Sequence, residues 1–341
     1  MVTIYDIAKH CGVSPATVSK ALSDATDVGA KTRERIRRAA AEMHYVPDSR
    51  AKSLSGSRSW SIGVLCQDGS EMGLRHYFFA AVIEGFKKSV ERLGYDIVFI
   101  SNNVGDMGYS FLEHCRYRKL DGVFIVNANP DEEECRELFG SELPMVMFDY
   151  VGENIDGIAT DSGMGMKLLY DHLYDLGHRD IVYLHGDPSR YITQARIAAL
   201  KKAAEERGEC FGEQQLIPCA YYSIRSGEQT MTALLNRESR PTAVICSDDY
   251  TAIGVLGAIR AAGLRVPEDI SVCGYDGIEI TQLMYPQLTT IRQDAAVIGQ
   301  RAADRIIEAL RGEGEKKAQQ GQLITVDPSL IIGMSSGQCP Q

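Results

Sequence analysis

No apolar run in the chain approaches the roughly 18 residues that a membrane-spanning helix needs. Met1-Val2-Thr3 runs straight into a helical pattern, with neither a basic n-region nor an apolar h-region. No secretion signal is therefore expected, and the chain is expected to work in the cytoplasm without a membrane partner. The nine cysteines form no C-x-x-C pair, and no two histidines stand at zinc spacing. Most, such as Cys66, Cys246 and Cys273, sit in apolar runs and read as small buried hydrophobes rather than ligands. There is no G-x-G-x-x-G after the first strand pattern, no G-x-x-x-x-G-K-[ST] and no H-E-x-x-H. Ser162-Gly163-Met164-Gly165 is too short a glycine run to cradle a phosphate. Dehydrogenases, kinases and zinc hydrolases are thus disfavoured. No enzyme activity, cofactor or metal is expected.

What is present begins with charge. The 341 residues suffice for two or three domains, and an apolar share of 44% suits a globular protein. The net charge of -10 hides an uneven distribution. Residues 1–58 hold ten Lys/Arg against six Asp/Glu, a net of +4. The remainder holds 26 against 40, a net of -14. Basic charge is gathered at one end, and an acidic body keeps the rest off phosphates.

That basic end opens with two short helical patterns. Thr3 is a good N-cap, and Asp6 suits the positive end of the helix that follows. Ile4, Ile7, Ala8 and Cys11 then form an apolar stripe of helical period. Cys11-Gly12-Val13 turns the chain. Ser14 caps a second helix with Pro15 at its first position, where a missing N–H costs nothing. Val18, Ala21 and Leu22 face inward, which leaves Pro15, Ala16, Ser19 and Lys20 outside. Two helices joined this way form a helix-turn-helix, whose second helix enters the major groove N-terminus first. On its face Lys20 is the main donor toward a guanine edge, and Ala16 suits a thymine methyl. Thr17, Ser19 and Tyr5 suit phosphates, with Ser14 and Pro15 at the groove. A third helix, with Ile36, Ala39, Ala40 and Met43 in one stripe, covers the backs of the first two.

Val2-Thr3-Ile4-Tyr5-Asp6-Ile7-Ala8, Gly12-Val13-Ser14 and Thr17-Val18-Ser19 resemble the N-terminus of the LacI/GalR family of bacterial transcription regulators. The resemblance runs over roughly residues 2–335. It implies a sequence-specific transcription regulator, a repressor above all. Such a protein acts as a homodimer on pseudo-palindromic double-stranded operator DNA, under control of a small-molecule effector. Pro15 and Ala16 depart from the polar base readers of many relatives, so no operator sequence is carried over.

Residues 47–60 read as a linker holding a short helical candidate. A lone helix of about eight residues is unstable in water, so a plain flexible linker is one reading. The resemblance implies the other. Ala51-Lys52-Ser53-Leu54 is similar to the hinge helix of the family, in which the leucine wedges between minor-groove base pairs. Arg50 and Leu54 are its expected DNA contacts.

From Ser61 onward short β-branched runs alternate with amphipathic stretches, which predicts parallel sheets covered by helices. Strands are expected at Ile62–Cys66, Asp96–Ile100, Gly122–Val126, Met145–Phe148, Ile181–His185, Ala243–Cys246 and Ser271–Gly274. Phe86 and Phe99 read as core. The beat restarts after Asp161–Ser162, so two α/β lobes are expected, with return crossings at Thr289–Asp294 and Ile324–Pro328. The fold class expected is an all-α three-helix helix-turn-helix headpiece, residues 1–46, joined by the hinge to an α/β two-lobed body resembling periplasmic binding proteins. The body would span 61–335, with an N-subdomain of about 61–161 and 292–323 and a C-subdomain of about 162–291 and 324–335. The tail from Ser336 carries no signal.

Ligands of open α/β sheets bind beyond the carboxyl ends of the strands. Here those ends are polar: Asp68, Asn102, Asn127, Asp149, Asp161, His185, Ser247-Asp248-Asp249 and Asp276. Carboxylates and amides suit a hydroxyl-rich ligand, and aromatic faces at Tyr77-Phe78-Phe79, Tyr191 and Tyr221-Tyr222 suit a sugar ring or a base. The resemblance places Phe78 and Phe79 at the effector and assigns Arg196, with Arg190 second, to hold its oxygens. Tyr222, Asp161, Asp249 and Asp276 complete the expected effector site. Asp249 is equally suited to capping the helix that follows it. Ile192 replaces a ligand-binding hydroxyl of some relatives. A sugar or sugar derivative is the expected effector class, with a nucleobase next. A transporter's solute-binding protein would share this body, but it needs a secretion signal and has no use for the headpiece.

Overall fold

The structure is a computed structural model. It describes residues 2–22, 27–46, 58–67, 72–312 and 320–340. Arg50, Leu54 and Asp68 lie outside them. The chain divides into two compact units, Met1–Trp60 and Ser61–Gln341.

The first unit holds helices α1 (Ile4–Cys11), α2 (Pro15–Leu22) and α3 (Ala30–Glu42). Asp6 reaches back to accept from the Thr3 N–H at 2.9 Å, which ties down the first turn. Gly12 ends α1 with φ 62°, a left-handed conformation that glycine adopts without strain. Ser14 then caps α2 by accepting from Thr17 N at 3.1 Å. Ile7, Val18, Ala21 and Ile36, each fully buried, bind the three helices into one core with Ala39 and Ala40.

The second unit contains two six-stranded sheets. In the first lobe lie β1 (Ser61–Cys66), α4 (Tyr77–Glu91), β2 (Asp96–Phe99), the hairpin β3–β4 (Asn103–Val104, Met107–Gly108), α5 (Phe111–Arg118), β5 (Gly122–Asn127), α6 (Glu133–Phe139), β6 (Met145–Phe148) and β7 (Asp156–Thr160). The second lobe holds α7 (Ser162–Asp175), β8 (Ile181–His185), α8 (Tyr191–Glu206), β9 (Leu216–Pro218), α9 (Ile224–Leu235), β10 (Ala243–Cys246), α10 (Asp249–Ala261), β11 (Ser271–Asp276), α11 (Glu279–Leu283) and β12 (Thr289–Arg292). The chain then returns through α12 (Ala295–Arg311) and β13 (Leu323–Val326) to the first lobe, and ends with β14 (Ser329–Ile331) in the second. Strand order is β13-β7-β6-β5-β1-β2 in the first sheet and β14-β12-β11-β10-β8-β9 in the second.

Several expectations need correction. Thr289–Arg292 is a strand that pairs in parallel with β11, so the return crossing begins only at Gln293. Ile324–Val326 is not a crossing. It extends the first sheet, Ile324 opposite Ile158, and the last crossing shrinks to Asp327-Pro328. Strands of four residues carry too little periodicity to be told from connections. β14 runs antiparallel to β12, so the second sheet is not wholly parallel. Phe99, expected in the core, is 47% exposed because β2 is the outermost strand of its sheet. Cys246 and Cys273 are buried as expected, whereas Cys66 is only half-buried.

Helix α12 crosses α4 at a distance only glycine permits. A Cβ at Gly299 would stand 2.2 Å from the Val82 carbonyl oxygen. The chain's end is equally fixed. Ser335 donates to the Val272 carbonyl at 2.6 Å, and His178 bonds the Gly337 carbonyl at 3.0 Å. Among the described residues no helix is long and apolar enough to cross a membrane.

Candidate operator-reading face and effector cleft

The exposed side of α2 presents what its sequence predicts. Ala16, Ser19 and Lys20 are exposed, Pro15 and Thr17 half-buried, and Tyr5 on α1 is 70% exposed beside them. Thr17 and Ser14 share a hydroxyl–hydroxyl bond of 2.9 Å, so both oxygens are held at the N-terminal end of the helix. Lys20 pairs with Asp27 in the connection to α3, a partner not foreseen from the sequence.

The cleft of the body collects the carboxyl ends of both sheets. One cavity of about 330 Å³ lies between Asn127, Asp149 and Phe79 of the first lobe and Arg190, Arg196 and Tyr222 of the second. Tyr191, Ile192 and Tyr221 also line it. Arg196 comes from α8 and is only 4% exposed. Its Nη1 donates to the Ser247 carbonyl at 2.8 Å, and the guanidinium lies 3.7 Å above the Tyr275 ring. Those contacts fix the fork while Nε remains buried with no hydrogen-bond partner among the described residues. Asp149 follows β6 with φ 57°, and its Oδ1 is likewise buried and unpaired. Burial pushes its carboxyl up to about 7, and the charge of Arg196 pulls it back only in part.

The aromatic residues form the wall. His76 caps α4, accepting at Nδ1 from the Phe79 N–H, and stacks on Phe79 with ring centroids 4.3 Å apart. Tyr222, reached from the other lobe, meets Phe79 edge-on at 5.3 Å. Tyr250 of α10 accepts from the Tyr77 N–H at 3.2 Å, a further bond between the lobes. Beyond this wall lies a second cavity of about 350 Å³, with Tyr77, Phe78 and Asp276 among its lining. Asp276 is 4% exposed, and burial, with Asp249 and Asp248 nearby, pushes its carboxyl well up. Its Oδ1 accepts from Gln293 Nε2 at 2.6 Å, while Oδ2 has no partner among the described residues. The other end of the same amide accepts from Thr160, so Gln293 joins β7 of one lobe to β11 of the other.

The expected effector residues therefore separate into two groups. Phe79, Arg190, Arg196 and Tyr222 line the first cavity, and Phe78 and Asp276 the second. Asp161 and Asp249 line neither. Asp161 caps α7, accepting from Met164 N at 2.9 Å. Asp249 is fully buried inside the second lobe, where it accepts from Thr290 Oγ1 at 2.6 Å and Ile278 N at 2.8 Å. Burial pushes its carboxyl up to about 7 as well. It does not cap α10 either; Asp248 does, accepting from Thr251 N at 2.8 Å. Asp149, expected only as one polar strand end among several, and Tyr221, only as an aromatic candidate, also line the first cavity.

Comparison with known proteins gives a consistent picture. Residues 3–48 match the family described as "Bacterial regulatory proteins, lacI family", and residues 170–336 match the "Periplasmic binding protein-like domain". The chain is 31% identical over 340 residues to the HTH-type transcriptional repressor PurR of Pasteurella multocida, covering 98% of each protein. It is 32% identical over 345 residues to the PurR repressor of Proteus mirabilis, covering all of this chain and 98% of the relative. The lac repressor dimer bound to operator and the anti-inducer ONPF superposes with a TM-score of 0.79 at 28% identity, over 98% of this chain and 99% of the other.

Proposed function

The chain belongs to the LacI family of bacterial regulatory proteins, and from that premise we propose that it is a repressor whose hold on a pseudo-palindromic operator is set by a sugar or sugar derivative in the cleft of its body. One observation carries the ligand class. Arg196 and Asp149 line one cavity, and each carries a buried polar atom, the donor Nε and the acceptor Oδ1, with no hydrogen-bond partner among the described residues. Unsatisfied buried polar groups are costly, so such a pair suits a ligand that both donates and accepts. A hydroxyl does both. The faces of Phe79 and Tyr222 suit the CH side of a sugar ring.

The coupling is linkage. Two copies of the body hold two headpieces at the spacing of two half-sites. A ligand that closes the cleft favours one arrangement of the lobes, and so one spacing of the hinges. Its effect on operator affinity is bounded by its differential affinity for the two arrangements. Arg50 and Leu54 are the hinge residues that would feel that spacing.

A thermal-shift screen of the full chain against monosaccharides, sugar acids, nucleosides and purines tests this reading. A sugar is expected to raise Tm, and calorimetry then gives its affinity with and without Arg196→Ala. A shift by purines alone would replace the sugar by a nucleobase, whose ring the same aromatics can stack.

A further inference from the structure

Lys20 is the only charged residue on α2, and in the free headpiece its ammonium is already paired with Asp27. Both side chains remain about half exposed, 55% and 53%. Asp27 is held in place by its neighbour. Val28 is buried in the headpiece core, and Arg33 of α3 donates to the Val28 carbonyl at 3.0 Å. Asp27 thus directly precedes a residue anchored in the core, with its own carboxylate half exposed beside Lys20.

We propose that Asp27 is a specificity-determining positioning residue for DNA recognition: it occupies Lys20 on arbitrary sequence and yields it only to a guanine edge. This rests on the DNA-binding role of the headpiece, not on the effector. The ion pair has no net charge, so against a random duplex Lys20 releases few counterions. Asp27 itself is repelled by phosphate. A guanine offers N7 and O6 together, two acceptors in place of the carboxylate, and makes the exchange favourable. An exposed pair is weak enough for the exchange to occur. The pair thereby lowers binding to the many wrong sites more than to the right one, which is how a repulsive element produces discrimination.

The test uses the full chain and a duplex library with randomised half-sites. Wild type, Asp27→Asn, Asp27→Glu, Lys20→Ala and the double variant are bound to it, and the bound fraction is sequenced. Affinity for a single random-sequence duplex is measured across a salt series. Asp27→Asn is expected to bind the random duplex several-fold more tightly. Its log–log salt slope should steepen by about 0.9 per headpiece, one added phosphate contact. Guanine enrichment at one position per half-site should fall, and Asp27→Glu should restore it. In the Lys20→Ala background the Asp27 substitution should lose most of these effects. Two results overturn the proposal: guanine enrichment that is unchanged or sharper in Asp27→Asn, or an Asp27 effect of equal size with and without Lys20. Because Asp27 is exposed, the variants should unfold at the wild-type Tm. Selectivity lost only together with Tm would also overturn it, by making Asp27 a structural residue.

Discussion

The reading face and the effector cleft solve recognition in opposite ways. On α2 the polar groups stand in water, capped or paired by near neighbours in sequence: Ser14 with Thr17, Lys20 with Asp27. Each contact is individually weak and exchangeable, which suits a partner that approaches as a charged rod. In the cleft the polar groups are buried and come from segments far apart in sequence. Arg196 leans on Ser247 and Tyr275, and Asp149 faces it from the other lobe. There each group has high electrostatic stakes, because desolvation leaves nothing to replace a missing partner. Substitution of the exposed pair on α2 should therefore act on affinity alone, but substitution in the cleft on affinity and stability together.

The largest effect is expected at Arg196. Arg196→Ala should weaken the ligand found in the screen by two orders of magnitude or more, about 3 kcal/mol for a lost charge-assisted bond. It should also lower the stability of the body by roughly 2–3 kcal/mol, since the Ser247 carbonyl loses its donor. Calorimetry and denaturant unfolding measure the two. Loss of affinity with unchanged stability would break the contrast.

Asp149 makes the same point through pH. Its carboxyl holds its proton in the folded body up to about 7, whereas the unfolded chain releases it near 3.8. The folded state thus binds more protons in that window. The stability this group contributes is present below pH 3.8 and is lost as pH rises through about 7. Asp149→Asn imitates the protonated form. It should stabilise the body at pH 8 by up to roughly 4 kcal/mol and leave it unchanged at pH 3.5. Urea midpoints at the two pH values decide the matter.

Smaller effects are expected on α2. Lys20→Ala should cost roughly 1–3 kcal/mol of operator affinity and relax base choice at one position, with no change in Tm. Equal weakening on every half-site variant would make Lys20 a phosphate contact. Ser14→Ala removes a cap and should cost about 1 kcal/mol of headpiece stability, seen in its thermal transition.

The same contrast explains what the sequence disclosed. Helical stripes such as Ile4, Ile7, Ala8 and Cys11 are local, so the headpiece could be read almost residue by residue. The body's strands were legible where they were long and buried, as at Gly122–Asn127 and Ile181–His185. Its short strands were not. β13, an edge strand, pairs with a segment far back in the chain, and β12 has only four residues, so both looked like connections. In the site, Arg196 stood out by resemblance, but the difference between Asp248, which caps, and Asp249, which braces β12, depends on which way a turn points. Asp161 offered a carboxylate at a strand end and was taken up by its own helix.

Gln293 gives the cleft a latch. Its amide accepts from Thr160 with one end and donates to Asp276 with the other, and those residues belong to different lobes. The Gln293 N–H also donates to the Asp276 carbonyl, so this residue stays with the second lobe and parting the lobes here breaks the Thr160 bond alone. A bond made only in the closed arrangement acts as a latch that favours it. Gln293→Leu should therefore weaken a ligand that closes the cleft by roughly 0.5–1.5 kcal/mol, which calorimetry reads.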